Sequence, residues 1–268
     1  MFTLFSPLQR LYQHRSLIRT MVTRDLQARY KGSLLGIVWS FLNPLLMLAI
    51  YTFVFKYVFS ARWPQGNDTH IDYAIILFAG LILHTWLADV MNQSVLLIPQ
   101  HASFVKKIQF PLDILSWVTV ISAGIQFLMG CLVFVAFLLV LGLPLHPEML
   151  LLPIVMLPYA FMLVGFSWIL AALGVFLKDL GQLMGSLVTM LMFTSTVFFS
   201  LENAPELIRP LLLLNPLTIP VNSIREVMLF GQYPDWHQLG AYTLVAFSVM
   251  IFGYALFHKL KKLFADVL

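Results

Sequence analysis

The chain has 268 residues, of which 60% are hydrophobic and only 10% are charged, whereas soluble domains carry about 25% charged residues. Its formal charge of +4 comes from basic residues beside apolar segments, which fits anionic lipid head groups and does not fit a nucleic-acid surface. This composition excludes a soluble enzyme or binding module. It predicts an all-α integral membrane protein with a single domain over residues 1–268.

The chain begins with a basic segment, residues 1–32, that precedes the first long apolar stretch. Between residues 8 and 30, most of the arginines fall on positions other than those of the apolar residues, and Leu17 departs from the period. The apolar residues near helical spacing are Leu11, Ile18, Met21, Val22 and Leu26. This pattern predicts an amphipathic helix in the cytoplasmic membrane interface. The alternative is a charged anchor that only orients the first span.

Six apolar segments are long enough to cross a bilayer as helices, which takes about twenty residues. They are residues 34–59, 73–98, 114–141, 150–177, 181–201 and 239–260. Residues 33–260 are therefore expected to form a six-span bundle, and residues 261–268 a cytoplasmic tail.

The basic residues predict how this bundle is oriented. Only four of the 16 Lys and Arg residues fall on the side opposite the N-terminus: Lys56, Arg62, Arg209 and Arg225. Because positive residues accumulate on the cytoplasmic side of short loops, both termini are expected in the cytoplasm of a multi-pass membrane protein.

Polar and aromatic residues inside the apolar segments are candidates for a translocation path. Asp89 is the one carboxylate plainly within a predicted span, and it fits either a polar path or proton relay, or a structural contact with a neighbouring helix. The aromatic candidates, which could contact a lipid or sugar rings, are Trp86, Phe193, Phe198 and Phe199. Packing between helices is the alternative for each of them.

A short cytoplasmic connection, residues 100–111, joins the second and third predicted spans. In it, apolar residues surround two lysines, and a proline ends the segment: Phe104, Val105, Lys106, Lys107, Ile108, Phe110 and Pro111. A short amphipathic helix of this kind can dock into a groove of a soluble partner. A plain inter-span loop is the alternative.

Residues 198–234 follow the fifth predicted span and would be external, yet they are apolar, for example at residues 211–214. Pro205, Pro210, Pro216 and Pro220 prevent one continuous helix. Irregular backbone at membrane depth is stable only where protein or a water-filled cavity covers it. We therefore predict two short re-entrant helices between the fifth and sixth spans. An amphipathic loop on the outer leaflet is the alternative.

Sequence motifs for catalysis are absent. The chain has no phosphate-binding Gly-x-x-x-x-Gly-Lys loop and no Gly-x-Ser-x-Gly elbow, and its seven histidines show neither paired spacing nor a cysteine cluster. We expect no catalytic residue, no metal site and no cofactor in this chain. Energy for an active process must then come from another protein.

Residues 23–36, TRDLQARYKGSLLG, followed by Trp39 and Asn43-Pro44, resemble the start of the first span in ABC transporter permeases that export polysaccharides. The resemblance continues at Phe110-Pro111, at residues 176–179 and at Asn215-Pro216 with Arg225, so that it covers essentially the whole chain. It is strongest for permeases that export lipopolysaccharide O-antigen.

This resemblance implies a bacterial inner-membrane homodimer that pairs with two ATP-binding cassette subunits, on which ATP and Mg would be bound. It also implies that the basic interface helix of residues 1–32 and the turn at residues 104–110 contact those subunits. The external segment with Asn215, Pro216 and Arg225 would close the outer mouth.

The cargo that the resemblance implies is O-antigen polysaccharide on undecaprenyl diphosphate, moved from the cytoplasmic to the periplasmic side. Its diphosphate, approaching from inside, would meet Arg24, Arg29 and Lys31 at the membrane interface, where charge-assisted contacts are available. Exporters of capsule, teichoic acid or small lipid and drug cargo in the same superfamily remain alternatives, as does a membrane enzyme acting on polyprenyl-linked sugars.

Overall fold

The computed structural model describes residues 6–59, 73–105 and 110–267, and every regular element in these ranges is helical. The α-helices are α1 (Ser6–Gln13), α2 (Arg15–Tyr30), α3 (Trp39–Tyr51), α4 (Tyr73–Gln100), α5 (Ala102–Val105), α6 (Ile114–Val140), α7 (Leu152–Phe176), α8 (Leu180–Phe193), α9 (Arg209–Leu213), α10 (Thr218–Arg225), α11 (Trp236–Leu260) and α12 (Phe264–Val267). The predicted all-α class is confirmed for this part of the chain.

Among the residues that the structure describes, four helical segments are long and apolar enough to cross a membrane. They are Tyr73–Gln100, Ile114–Val140, Pro147–Phe176 and Trp236–Val267, where the last two include short 3-10 turns beside α7 and α11. They coincide with the second, third, fourth and sixth predicted spans. The core of the bundle lies where α4, α6, α7 and α11 pack together.

The first predicted span begins later than its apolar sequence suggests. Gly32 and Gly36 adopt positive φ angles of 85° and 51°, which interrupt a right-handed helix. As a result α3 starts at Trp39 and continues as π-helical turns over Thr52–Val58. The predicted helical start at residue 34 is therefore wrong.

The fifth predicted span is also not one continuous helix. Helix α8 ends at Phe193 after 14 residues, which is about 21 Å against a hydrocarbon core of about 30 Å. The Ser195 hydroxyl donates to the Met192 carbonyl oxygen at 2.7 Å and accepts from the Val197 N–H. Such local bonds compete with helix formation, so the prediction of a helix to residue 201 is wrong.

The basic N-terminal segment folds as two helices, α1 and α2, that meet at His14. Ile18 and Val22 on α2 are buried against α6. The segment is thus packed onto the bundle, which goes beyond a bare charged anchor. Its location in the membrane interface remains a prediction.

The apolar segment between α8 and α11 contains the two short helices α9 and α10. Six of the eight residues of α10 are buried, and the helix packs against α4 and α7. This burial inside the bundle does not fit a loop that lies flat on a leaflet. Re-entry into the membrane remains our prediction for this segment.

Two close backbone contacts hold the long helices together. Gly165 on α7 faces Gly253 on α11, and a Cβ atom added to Gly165 would lie 2.8 Å from the Val249 carbonyl oxygen. Gly174 on α7 packs directly on the Val95 backbone of α4. Small residues of this kind allow membrane helices to approach closely.

Candidate transport and coupling sites

The structure brings together two candidates that were predicted separately, Arg29 on α2 and Asp89 on α4. Arg29 Nη1 lies 3.4 Å from Asp89 Oδ2, and Arg29 Nη2 donates to Gln93 Oε1 at 3.0 Å. Arg29 Nε also lies 3.6 Å from Asp25 Oδ2, one turn earlier on α2. The guanidinium therefore ties the end of the basic segment to α4.

The predicted second span places Asp89 away from the centre of the bilayer. Asp89 is sixteen residues below Tyr73, the first residue of α4, which is about 24 Å along a helix and leaves only about 6 Å of a 30 Å hydrocarbon core. A carboxylate at that depth, with a cation beside it, avoids most of the cost of a charge within lipid. Its proposed part in a translocation path remains a prediction.

The other two cations predicted to meet a diphosphate are differently placed. Arg24 and Lys31 are exposed, and neither side chain forms an ion pair or a hydrogen bond with another residue in the described ranges. They are therefore available to a ligand, whereas Arg29 is already held by carboxylates.

Trp86 lies in the packed core of the bundle. It stacks on Phe127 with ring centroids 4.8 Å apart, contacts Tyr159 edge-on, and donates from Nε1 to the Val120 carbonyl oxygen at 3.2 Å. In the single chain this is the packing role that was the alternative for Trp86.

Phe193 and Phe198 form an aromatic pair at the C-terminal end of α8. Their rings are nearly parallel, at 13°, with centroids 5.0 Å apart, and Phe193 is 60% exposed. Phe198 and Phe199 are half-buried. The pair offers an accessible flat face, which Trp86 does not.

Helix α8 carries polar residues on its exposed side. Gln182, Ser186 and Thr189 are exposed together with Gly181 and Gly185, and α8 buries only Met184 and Val188. We call these five residues the α8 polar face. The Thr189 hydroxyl donates to the Gly185 carbonyl oxygen at 2.8 Å, whereas the Gln182 amide and the Ser186 hydroxyl favour a polar partner over lipid. Sequence reasoning missed Gln182, Ser186 and Thr189 because each is uncharged.

Arg225 is buried near the start of α4 and is 3% exposed. Its Nε donates to the Ile76 carbonyl oxygen at 3.1 Å, and its two terminal nitrogens donate to the carbonyl oxygens of Thr196 and Val197 at 2.6 Å each. One guanidinium thus joins α10, the start of α4 and the turns that follow α8.

Asn215 and Pro216 connect the same region to further elements. Asn215 Nδ2 donates to the Leu191 carbonyl oxygen at 2.8 Å, and its Oδ1 accepts from the Leu217 N–H. The Pro216 carbonyl oxygen accepts from the Tyr242 hydroxyl of α11 at 2.9 Å. All three gate candidates therefore lie in one hydrogen-bonded region, which we call the outer cap because the predicted topology places it on the external side.

The predicted coupling segment is described only in part. Helix α5 spans one turn, and Lys106, Lys107 and Ile108 lie outside the described residues. Phe104 and Phe110, both half-buried, stack with ring centroids 4.4 Å apart, while Val105 packs on the core. The two described ends of the segment are therefore in contact through these rings.

A buried carboxylate next to the coupling segment was missed. Asp113 is 2% exposed, and its Oδ2 lies 3.7 Å from Arg10 Nε of α1. The Asp113 carbonyl oxygen accepts from Trp168 Nε1 of α7 at 2.9 Å. An acid at the edge of a long apolar span requires a cation, and that signal could have found it.

The sequence matches the ABC-2 type transporter family over residues 16–229. The chain belongs to this family. ABC-2 membership makes it a permease subunit of an ABC transporter system, which implies an ATP-binding partner.

Individual ABC-2 relatives match nearly the whole chain. The O-antigen export system permease protein RfbA of Klebsiella pneumoniae is 32% identical over 256 residues, covering 94% of this chain and 95% of the relative. Its namesake in Myxococcus xanthus is 28% identical, covering 96% of each. The capsule polysaccharide export inner-membrane protein CtrC of Neisseria meningitidis is 22% identical, covering 92% of each.

Proposed function

We propose that this ABC-2 permease is the membrane subunit of an ATP-driven exporter of O-antigen polysaccharide linked to undecaprenyl diphosphate. It acts as a homodimer with two ATP-binding cassette subunits and moves its cargo from the cytoplasmic to the periplasmic side of the bacterial inner membrane. The observation that carries this proposal is the full-length similarity to a permease named for O-antigen export. Capsule polysaccharide is the second candidate, favoured by the more distant similarity to CtrC.

The α8 polar face supports a path between two copies of the chain. Amides and hydroxyls gain little from lipid, so they favour a water-filled cavity or a polar partner. The exposed ring of Phe193, stacked on Phe198, lies at the outer end of the same helix. We assign this helix face and this ring pair to the path taken by the glycan.

Two exposed cations, Arg24 on α2 and Lys31 directly after it, support recognition of the diphosphate. Arg24 is exposed and Lys31 follows the end of the helix. Both can form charge-assisted hydrogen bonds with phosphate oxygens. Arg29 positions this end of α2 by holding it to Asp89.

The deciding experiment is export in sealed inside-out vesicles that contain this permease and its ATPase. Radiolabelled lipid-linked O-antigen is added outside, where the cytoplasmic face is exposed, and its ATP-dependent uptake is measured. The proposal predicts uptake with ATP and none with a non-hydrolysable analogue. Uptake of capsule polysaccharide in place of O-antigen would favour the second candidate, and uptake of neither would refute polysaccharide export.

The path assignment is tested with single cysteines. They are introduced in a Cys131→Ala background, which removes the buried native thiol. Ser186→Cys on the α8 polar face should react with a charged, membrane-impermeant thiol reagent. The matched control is Leu244→Cys on α11, an apolar site that is 73% exposed and would face lipid. Equal labelling of the two cysteines would refute a water-filled path along α8.

The coupling assignment is tested without disturbing the Phe104–Phe110 stack. Replacing Lys106 and Lys107 with Glu, together with Ile108→Asp, should abolish co-purification of the ATPase while the permease still inserts into the membrane. Retention of the ATPase would show that this segment does not dock it.

A further inference from the structure

An open groove of about 510 Å³ lies between the N-terminal helices and α6. Its apolar walls are formed by Leu8, Leu11, Ile18, Val22, Ile121 and Ile125. Pockets that bind small ligands are of this size, about 300–1,000 Å³. None of the transport or coupling residues discussed above lines it.

Two arginines of α2, Arg15 and Arg19, also line the groove, and both are exposed. Arg15 Nη1 donates to the Tyr12 carbonyl oxygen at 3.2 Å, and its guanidinium lies 4.6 Å from the centre of the Tyr12 ring. The Arg19 guanidinium forms no ion pair or hydrogen bond with other residues that the structure describes. No carboxylate is among the described lining residues, so the groove combines apolar walls with positive charge.

The predicted third span, measured from the end of α6, places the groove at the depth where a lipid changes from acyl chain to head group. Ile125 is fifteen residues and Ile121 nineteen residues before Val140, the last residue of α6. These separations correspond to about 22 Å and 28 Å along the helix, near the inner boundary of a 30 Å hydrocarbon core. The basic helix α2 covers this boundary.

We propose that the groove binds one anionic phospholipid of that leaflet, with an acyl chain along Ile121 and Ile125 and its phosphate between Arg15 and Arg19. The bound lipid would fill the space between α2 and α6 and hold the basic segment against the bundle. A two-fold contact with a second copy is disfavoured, because it would bring the same two arginines of each copy together. The site is separate from the open cations Arg24 and Lys31, and it does not depend on the proposed cargo.

The test measures lipid retained by the purified full-length chain, by native mass spectrometry after incubation with phosphatidylglycerol or phosphatidylcholine of the same acyl composition. The wild-type chain should retain phosphatidylglycerol about 10- to 30-fold more strongly, the ratio expected for two arginines near one anionic head group. Arg15→Gln with Arg19→Gln should remove this preference. The matched control, Lys259→Gln with Lys262→Gln, loses the same charge at exposed positions that do not line the groove and should keep it.

Two further measurements separate the possible occupants. Soluble glycerol phosphate at the same concentration should not displace the lipid, because it lacks the acyl chain. Ile125→Trp should fill the groove and lower retention in a protein whose elution volume is unchanged.

Equal retention of the two lipids by the wild type, or equal loss in both double variants, would overturn the proposal. Displacement by glycerol phosphate would overturn it in favour of a free-phosphate site. A change in oligomeric size in Ile125→Trp would overturn it in favour of a contact between copies.

Discussion

Arg29 and Asp89, which lie 60 residues apart in sequence, form an ion pair at 3.4 Å that fixes the basic segment to α4. The pair assigns different roles to cations that sequence alone treated as one group. Arg29 is a structural contact of the bundle, and Arg24 is open to solvent. The diphosphate of the proposed cargo could therefore bind Arg24 without breaking an existing contact.

The first prediction separates these two arginines. Arg29→Ala leaves Asp89 and Gln93 without their shared donor, and we expect a loss of about 1 kcal/mol in the free energy of unfolding. Arg24→Ala should change stability by no more than about 0.5 kcal/mol and should still lower glycan export. Thermal unfolding in nanodiscs and vesicle export measure the two effects. Equal melting temperatures for both variants would refute the structural role of Arg29.

The second prediction concerns Arg225 in the outer cap. Arg225→Met removes the donors to three carbonyl oxygens in a buried site, and each carbonyl left without a donor costs about 1–3 kcal/mol. We expect little folded protein from this variant. Arg225→Lys should lower the folded yield only partly, because an ammonium group can donate but cannot reach three carbonyl oxygens with the planar geometry of a guanidinium. Size-exclusion chromatography of detergent-extracted protein measures the folded fraction.

Arg209→Gln is the control for this comparison. Arg209 also donates to backbone carbonyl oxygens, those of Ala204 and Glu202, but it is only partly buried. The Arg209→Gln variant should therefore give a nearly normal yield of folded protein. A folded yield of Arg225→Met that matches this control would show that the three bonds do not stabilise the cap.

The third prediction concerns the contact between α4 and α7. A methyl group on Gly174 would overlap the backbone of Val95, and a backbone cannot move aside as a side chain can. Gly174→Ala should therefore prevent normal packing and give misfolded protein on extraction. Gly240→Ala on α11, with no atom within 4 Å of the added carbon, should fold normally because alanine favours helix over glycine. Equal yields of the two variants would contradict this close approach.

The fourth prediction concerns pH and the start of α11. Asp235 Oδ1 accepts from the backbone N–H groups of His237 and Gln238 at 2.9 and 3.1 Å. The bond from Gln238, reinforced by that from His237, holds the pKa of the Asp235 carboxyl below its ordinary value. Because the folded pKa is lowered, the ionised cap stabilises the protein fully above the ordinary Asp pKa of about 3.9, and this stabilisation is lost as pH falls through the lower folded pKa.

Asp235→Ala should therefore lower the melting temperature at pH 7, and the difference from the wild type should shrink as the pH falls below about 4. Asp235→Asn keeps an accepting oxygen and should retain most of the cap at both pH values. Melting curves at several pH values provide the measurement. A difference between wild type and Asp235→Ala that does not vary with pH would show that the charge of the cap is not involved.

Hydropathy alone was sufficient for the long helices, because a span that needs about twenty apolar residues leaves a strong signal. It failed where an apolar sequence is not helical. Residues 194–200 are apolar enough to extend the fifth span, yet the Ser195 hydroxyl bonds to nearby backbone and ends the helix. Gly36 was likewise counted as part of the first span although its φ angle is positive.

The sequence could indicate which site residues need a polar contact, but it could not identify the residues that provide it. The sequence predicted that Asp89 needs a compensating contact, but it could not identify Arg29, because pairing between distant segments depends on how α2 packs on the bundle. Arg225 was counted as an external charge, whereas the structure buries it among carbonyl groups of other elements. Asp113 was not considered at all, although it lies three residues after Phe110.

The glycine contact between α7 and α11 limits which parts of the permease can move during a transport cycle. Where Gly165 meets Gly253, main chain touches main chain, and no side chain is present that could change rotamer to accommodate sliding. We therefore expect α7 and α11 to move together as one rigid body. A transport passage would then widen through movement at non-helical segments. These are the segment with Gly32 and Gly36 before α3 and the turns after α8.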